Sequence, residues 1–451
     1  MGTSSESLNT HNVLGLSSNG GIMKHHQFIL ITLCICLLSL NFCEGKDLNF
    51  PFSIKKITPG PIAMSLGGAS ICNISDPLVA VQNPANLVLK SQTQWTLSVY
   101  HAVHKEIVDS KNSTFDGISN ANDKEWGLNY LGLNVPFRVF ATRMAAALSW
   151  YPKFSFERSI KISQNDENQI SSFRTWHVEQ SGYMSALTLS YGIEILPQLS
   201  MGVNYNLWLD SLGDNQWEQT VSMHGIRPNG TNNPIQEFEQ GNIKYEDSGS
   251  NFEMGLLWQV SSYLHAGATF QTPRSNLITT HINHNRSGNE TYSTELSTPM
   301  SFGIGVSYLL KKNWKFFLDV RQVHWENLEF STSQETTEVL TGQNSDTNND
   351  LSVHMVHFGS DYNSNQKIGQ FNTVYRVGLS LCTDRGIVHP EPDTTIGFGL
   401  GLIGKRMRFD FGYQYQRFLD REQTIISDAV MINYIRGHML SVALSYRFNP
   451  N

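Results

Sequence analysis

The chain has 451 residues, of which 40% are hydrophobic, 11% are aromatic and only 16% are charged. The aromatic content excludes a disordered chain, and a net charge of −7 gives no basic surface for nucleic acid. Low charge without high hydrophobicity leaves two classes: a large soluble β-protein, or a transmembrane β-barrel that distributes its apolar residues by alternation.

The N-terminal region contains a single long apolar run, residues 28–38, which is too short to span a bilayer as a helix. A basic stretch precedes it and small residues follow it, so residues 23–45 are predicted to be a secretory signal peptide. Residues 1–22 are polar and lie upstream of the basic stretch. We interpret them as an over-extended start, with Met23 the true start, and a disordered extension is the alternative. Cys43 lacks the small residues that a lipobox needs before it, so lipidation is not expected.

After such a cleavage, the chain keeps two cysteines, Cys72 and Cys382. Two cysteines are no disulfide framework. One bridge is compatible with an oxidising compartment, and two unpaired residues are the alternative that we favour.

Residues 46–91 show no alternation. They contain paired Gly and scattered Pro, which indicates a compact, turn-rich segment. About 45 residues before the first predicted strand are enough to fold back into the lumen of a barrel, so this segment is predicted to be an N-terminal plug.

Residues 92–451 alternate with period two, as in Leu440, Val442 and Leu444 against Ser441 and Ala443. Tight connections alternate with long polar ones, which is typical of outer-membrane barrels with short periplasmic turns and long extracellular loops. The sequence therefore predicts an all-β fold, a transmembrane antiparallel β-barrel of about 14 strands, and a soluble secreted β-protein is the alternative. The predicted strands are 92–104, 125–136, 141–152, 182–196, 199–210, 248–260, 263–272, 299–310, 314–327, 351–360, 369–382, 395–403, 406–418 and 438–448.

One motif imitates a cofactor site. Gly399 to Gly404 fit G-x-G-x-x-G, but a dinucleotide site needs this loop to open a helix after a strand. Here Gly397, Gly399 and Gly401 alternate inside a predicted strand, where they would leave one face free for a neighbouring backbone or the plug. No nucleophile motif or metal-ligand set stands out, so no catalytic residue, cofactor or metal is expected.

Several short motifs occur in a recognisable order: Gly67-Gly68-Ala69, Asp76 and Asn83-Pro84-Ala85 before the barrel, and Gly412-Tyr413-Gln414-Tyr415 near its end. In this order the chain resembles the FadL/OmpP1/toluene-transporter family of outer-membrane proteins. The resemblance implies a fourteen-stranded barrel plugged by its N-terminal segment. It also implies passive passage of hydrophobic molecules, such as long-chain fatty acids or aromatic hydrocarbons, across the bacterial outer membrane.

The resemblance carries over a small set of site residues. Gly67, Gly68 and the Asn83-Pro84-Ala85 triplet would belong to the plug and gate the ligand. In the family, a kink in the third strand opens a lateral exit, and Pro152 is the candidate for it because proline cannot donate a ladder hydrogen bond. The alternative, which we leave open, is that Pro152 ends the strand.

The implied partners are the lipid bilayer with lipopolysaccharide, a hydrophobic small-molecule ligand, and the outer-membrane assembly machinery acting through the C-terminal strand. A monomer is expected. The reading of the C-terminal strand as an assembly signal is weakened because Asn449-Pro450-Asn451 follow Phe448, whereas such barrels often end on the aromatic residue.

Two other functions are kept as hypotheses. A barrel of this kind can act as the cargo shuttle of type IX protein secretion, which has a similar Asn-Pro-Ala region. An outer-membrane barrel enzyme, a phospholipase or a protease, is the third hypothesis, although the sequence favours a protein that is not an enzyme.

Overall fold

The computed structural model describes residues 55–110, 119–166, 172–209, 215–227, 235–285, 288–298, 300–324, 329–332, 352–382, 393–423 and 431–448. The predicted extension, the signal peptide and the first nine residues of the predicted plug lie outside these ranges. Within them, no helix is both long and apolar enough to cross a membrane.

Fourteen antiparallel strands form one closed barrel, because the first strand pairs with the last from Gln94↔Arg447 to Ser110↔Met431. Each strand pairs with its neighbours in sequence, and several are interrupted once. The strands are β1 Gln94–Ser110, β2 Ser119–Val139, β3 Thr142–Ser155 with Arg158–Asp166, β4 Ser172–Leu196, β5 Leu199–Trp208 with Gln216–Arg227, β6 Ile235–Gln259, β7 Leu264–Gln271 with Arg274–His284, β8 Gly288–Thr298 with Ser301–Leu310, β9 Trp314–His324 with Glu329–Thr332, β10 Ser352–Ile368, β11 Phe371–Cys382, β12 Asp393–Ile403, β13 Met407–Gln423 and β14 Met431–Arg447.

The alternation of each strand separates an apolar outward face from a polar or small inward face. In β14, the Leu440 side chain is 48% exposed, whereas its neighbour Ser441 is fully buried. Large apolar side chains that would be costly in water line the outward face at the height of the bilayer, as a lipid-facing surface requires. The predicted fold class and all fourteen predicted strands are confirmed.

Several strands are longer than predicted, and the error has one cause. β4 begins at Ser172 rather than 182, and β6 begins at Ile235 rather than 248. These outer portions extend beyond the height of a bilayer, where both faces meet water and the apolar alternation is lost. Parts of the regions predicted as long loops are therefore strand.

The segment before β1 lies on the inward face of the barrel, and we call residues 57–91 the inner segment. It contains one short helix, α1 (Gly60–Ser65), and two 3-10 helices, Val79–Val81 and Pro84–Leu89. Nearly all of its side chains are buried, including Met64, Ile71 and Leu87. Cys72 is buried here and is not bonded to Cys382.

Candidate functional site

The Gly67-Gly68 pair forms a turn pressed against the barrel wall. Both residues have positive φ angles, +64° and +92°, which glycine adopts readily and residues with a Cβ rarely do. A Cβ at Gly67 would lie 2.6 Å from the backbone nitrogen of Leu379, and one at Gly68 would lie 2.8 Å from Nδ1 of His357. The same His357 nitrogen lies 2.8 Å from the Gly67 carbonyl oxygen. Both predicted residues therefore fix the inner segment against β10 and β11.

The Asn83-Pro84-Ala85 triplet begins a 3-10 helix and contacts the opposite wall. The side-chain oxygen of Asn83 accepts a hydrogen bond from Ala85 N at 3.1 Å, which caps the helix. Its amide donates to the carbonyl oxygens of Ile71 and Leu256, at 3.0 and 3.1 Å. Asn83 thus joins two parts of the inner segment and one strand.

Rows of cross-strand glycines on the wall make this close approach feasible. Gly192, Gly202 and Gly255 are register partners on β4, β5 and β6, and a Cβ at Gly202 would lie 2.5 Å from Ala85 N. A second row, Gly359, Gly378 and Gly397, lies under Leu66 and α1. The expectation for the G-x-G-x-x-G region is confirmed at Gly397 and Gly399, which face α1. It is wrong at Gly401, which faces the Arg376–Asp410 ion pair.

Sequence reasoning missed the polar contacts that hold the segment, and Asp319 on β9 makes two of them. One of its carboxylate oxygens accepts from the backbone nitrogens of Ser70 and Ile71, at 2.6 and 2.9 Å. Arg321 donates to the Ser70 hydroxyl at 2.9 Å. The sequence did hold a signal for this contact, an Asp on the inward face of a strand whose two neighbours face lipid. An unpaired carboxylate is costly there, so the Asp could be expected to have a partner in the lumen.

An aromatic cluster fills the lumen directly against the inner segment, and we call it the luminal aromatic cluster. Its buried rings come from β2 to β5 and the β3 interruption, and Leu78 and Val81 of the inner segment pack into it. Phe156, Trp217 and Tyr245 stack face to face with centroid distances of 4.5 and 5.0 Å. The other large rings are Tyr130, Tyr151 and Trp208.

Two cations border this cluster. The Arg274 guanidinium lies 4.3 Å from the centroid of the Trp208 ring and pairs with Asp247 at 3.0 Å. The Lys153 ammonium lies 5.7 Å from the same ring and donates to Gln271 at 2.9 Å. The cluster therefore combines an apolar interior with a charged margin, in which Arg274 is already paired with Asp247.

Pro152 lies beside this cluster, at a bulge in β3. The register with β4 shifts between Pro152 and Phe154, and the strand continues to Ser155, so it does not end at the proline. The ladder between β2 and β3 stops at Leu131↔Trp150. Above that pair, the two strands run side by side without a main-chain ladder, and we call this stretch the β2–β3 seam.

The chain just before the inner segment occupies the seam. Lys55 and Lys56 pair with Ser155 and Phe154 as a two-residue strand, and Ile57 N donates to the Lys153 carbonyl at 3.0 Å.

On the other side of the seam, Asn129 is a bulged residue of β2 whose amide donates to the Thr58 carbonyl at 3.1 Å and accepts from Gly60 N. Side chains, rather than a strand ladder, therefore join the segment to β2.

The periplasmic side of the inner segment carries a polar groove of about 320 Å³, lined by residues that include Lys90, Arg408 and Arg447. The Lys90 ammonium donates to the carbonyls of Ile74 and Asp76, at 2.9 and 2.7 Å. Burial lowers the pKa of Lys90 to about 7. Burial raises the pKa of Asp76, although Leu78 N and Gln82 donate to its carboxylate.

A second groove, of about 870 Å³, is almost wholly apolar and lies on the lipid-facing side of the wall. It is lined by the β4–β5 turn at Pro197 and by Trp258, Ala266 and Ala268. Its side chains face lipid, so it is separate from the lumen.

Solved structures with this architecture share a barrel of the FadL type. The FadL homologue of Pseudomonas aeruginosa matches 89% of this chain and 100% of its own, with a TM-score of 0.60 at 12% identity. The toluene transporter TodX of P. putida covers 88% and 100% with a TM-score of 0.55, and TbuX of Ralstonia pickettii covers 87% and 99% with 0.54, both at 12% identity. No curated protein sequence matches the chain.

The fold and the inner segment thus define a FadL-like barrel. A family model, BamG, matches residues 58–418, which include the inner segment and all strands through most of β13. The chain therefore belongs to the BamG family of outer-membrane β-barrel proteins.

Proposed function

We propose that this protein is a passive outer-membrane channel for hydrophobic small molecules, held shut by its inner segment. The observation that carries the proposal is the luminal aromatic cluster, which lies against the inner segment and beside a seam that has no strand ladder. Catalysis has no part in this proposal.

The cluster gives apolar cargo a favourable site that a water-filled pore lacks. Each CH₂ removed from water contributes about 0.8 kcal/mol, and aromatic pairs add about 0.5–1.5 kcal/mol in stacked or edge geometry. The Lys153 ammonium at the margin would attract a carboxylate if the cargo has one. Fatty acids and aromatic hydrocarbons both fit this chemistry. Neighbours described as toluene transporters and a FadL homologue support the same class.

We propose the seam as a lateral exit, with Pro152 at its lower end. Main-chain ladders hold the other strand pairs. Here residues 55–57, the Asn129 side chain and two hydrogen bonds to the Glu125 and Asp123 carboxylates hold the strands together. Separating them breaks a few hydrogen bonds rather than a ladder. Gly67, Gly68 and the Asn83-Pro84-Ala85 triplet would control the route indirectly, because they fix the inner segment to which this stretch is joined.

Uptake by a deletion strain tests the proposal. We expect the wild-type gene to restore uptake of a radiolabelled aromatic hydrocarbon or long-chain fatty acid. Trp217→Ala removes a ring with two stacking partners, so the ligand affinity should fall about tenfold. Trp258→Ala on the lipid-facing side is the matched control and should leave uptake unchanged.

Uptake that stays at wild-type level in the deletion strain would contradict a channel. Mass spectrometry of material extracted from the native protein separates the alternatives. Bound small hydrophobic molecules support the channel, and a co-purifying folded secreted protein indicates the shuttle.

A role beside the barrel-assembly machinery is a second candidate. The BamG family match favours it, and the apolar groove around Trp258 is a surface on which another membrane protein could pack. A photo-crosslinker at Ala266 should capture an assembly component, and a crosslinker at Val377 serves as control. Capture from both positions, or from neither, contradicts this role.

A further inference from the structure

A row of positive side chains crosses the outward face of the barrel where β13, β14 and β1 meet. Lys105 on β1 is the register partner of Arg436 on β14, and Arg436 is the partner of Arg417 on β13. All three are exposed. Lys124 on β2, the partner of Val103, is also exposed and lies diagonally below Lys105. We call these four residues the basic row.

Like charges directly opposite each other on neighbouring strands destabilise a sheet. The acidic residues of β1, β2 and β13 whose side chains are described all turn inward instead. They are Glu106 with Arg158, Asp123 with Lys55, Glu125 with Tyr100, and Asp410 with Arg408. Elsewhere on the upper barrel the outward charges include acids, as in the Lys244–Glu246 pair. Among the described side chains of these strands, no carboxylate faces the basic row, so an external anion would neutralise its charge.

The height of the row matches the headgroups of the outer leaflet. Lys105 and Arg436 each lie eleven residues from the periplasmic end of their strand, which is marked by the Gln94↔Arg447 pair. At about 3.4 Å per residue and a tilt of about 40°, they lie about 28 Å above that end. The apolar band of such barrels is about 25 Å tall.

The surface immediately below the row suits acyl chains. The Trp126 ring is 73% exposed and stacks on His101 at 4.0 Å. His438 lies 2.8 Å from the Tyr413 hydroxyl. Leu440 continues the face downward as an exposed apolar residue. An aromatic girdle with an apolar wall beneath it thus joins the basic row to the bilayer interior.

We propose that the basic row is a binding site for lipopolysaccharide, through the phosphorylated sugars of its lipid A portion. Arg417 and Arg436 can each bind a phosphate with two parallel N–H donors, while the acyl chains lie along the apolar wall. The site faces lipid and does not depend on the lumen, so it stands or fails separately from the proposed transport function.

Binding of purified lipid A to the purified protein in detergent tests the site. The variant K105Q/R417Q/R436Q removes three charges. Because each Lys or Arg near an anionic lipid surface adds to binding, the variant should bind fluorescent lipid A about 100-fold more weakly. The control K311Q/K312Q/K405Q removes three charges at periplasmic turns and should bind as wild type does.

Two competitors identify the ligand. We expect unlabelled lipid A to displace the probe, phosphatidylglycerol to displace it at least tenfold less well, and inorganic phosphate at millimolar concentration not to displace it. A second readout guards against misfolding: lipid A should raise the unfolding temperature of the wild type and the control but not of the triple variant. Equal lipid A affinity of variant and wild type would overturn the proposal, and so would equal competition by phosphatidylglycerol or phosphate.

Discussion

Gly378 offers the most direct test of the close contact between the inner segment and the wall. Its Cα faces Leu66 and Gly67, and an added Cβ would lie 2.5 Å from the Leu66 Cα. The nearest atom, the Leu66 carbonyl carbon, would lie 2.0 Å away. Carbon atoms approach favourably to about 3.5–4.0 Å, so Gly378→Ala must push the segment away by about 1.5 Å. Val377→Ile is the matched control, because it also adds one carbon to β11 but on the lipid-facing side.

The expected magnitude follows from overpacking, which costs about 1–3 kcal/mol in well-packed interiors. Since each 1.4 kcal/mol is tenfold in an equilibrium, the displaced form of the segment should become about 5- to 150-fold more populated. Cys72 reports this displacement, because its thiol is buried in the segment and lies 3.2 Å from the Gly305 carbonyl. Maleimide labelling of Cys72, in a Cys382→Ser background, should accelerate by that factor.

The control should label at the wild-type rate. A Gly378→Ala protein that labels as slowly as wild type, and unfolds at the same urea concentration, would refute the contact. Acceleration of both variants would instead mean that the labelling reports general loosening of β11.

Three further predictions concern single residues. Asp319→Asn should lower the free energy of unfolding by about 1–3 kcal/mol, because two backbone donors lose their carboxylate; urea titration measures it. Asn129→Ala should raise the rate of tryptic cleavage at Lys56 about 5- to 30-fold, since Thr58 and Gly60 lose their partner on β2. Burial lowers the pKa of Lys90 from 10.5 to about 7, so the folded protein favours the neutral amine. The unfolding free energy should therefore rise between pH 7 and about pH 10.5 and show no such trend below pH 7; Lys90→Met should lose this rise, and an unchanged slope would contradict it.

The barrel was predictable from sequence because a lipid-facing wall imposes a strict period of two. Leu440 must face lipid and Ser441 must face inward, so each membrane strand is visible in the sequence. The upper part of β4 was not visible, since water lies on both of its faces and either kind of side chain is tolerated there.

The inner segment was predictable only as a turn-rich stretch. Gly67 and Asn83 indicate turns locally, but their partners, Leu379 and Leu256, lie more than 170 residues away in the sequence. The seam depends on where one ladder stops, at Leu131↔Trp150, and no local pattern specifies the length of a ladder. Pro152 predicted an irregularity in the third strand, but not whether the strand would bulge at the proline or end there.

A reversible lock on the seam tests our central claim most directly. Lys56 and Phe154 are register partners, and directly opposite side chains are close enough for a disulfide. The variant K56C/F154C, with Cys72 and Cys382 replaced by Ser, fixes residues 55–57 on β3, so that they cannot leave the seam. It should bind cargo but fail to release it until a reductant is added. The control T96C/S445C joins β1 to β14, where the two hydroxyls lie 3.0 Å apart.

We predict that hydrophobic cargo enters cells or lipid vesicles at the wild-type rate through the oxidised control, and at least tenfold more slowly through the oxidised seam variant, with full recovery on reduction. Equal transport by the oxidised and reduced seam variant would contradict the lateral route.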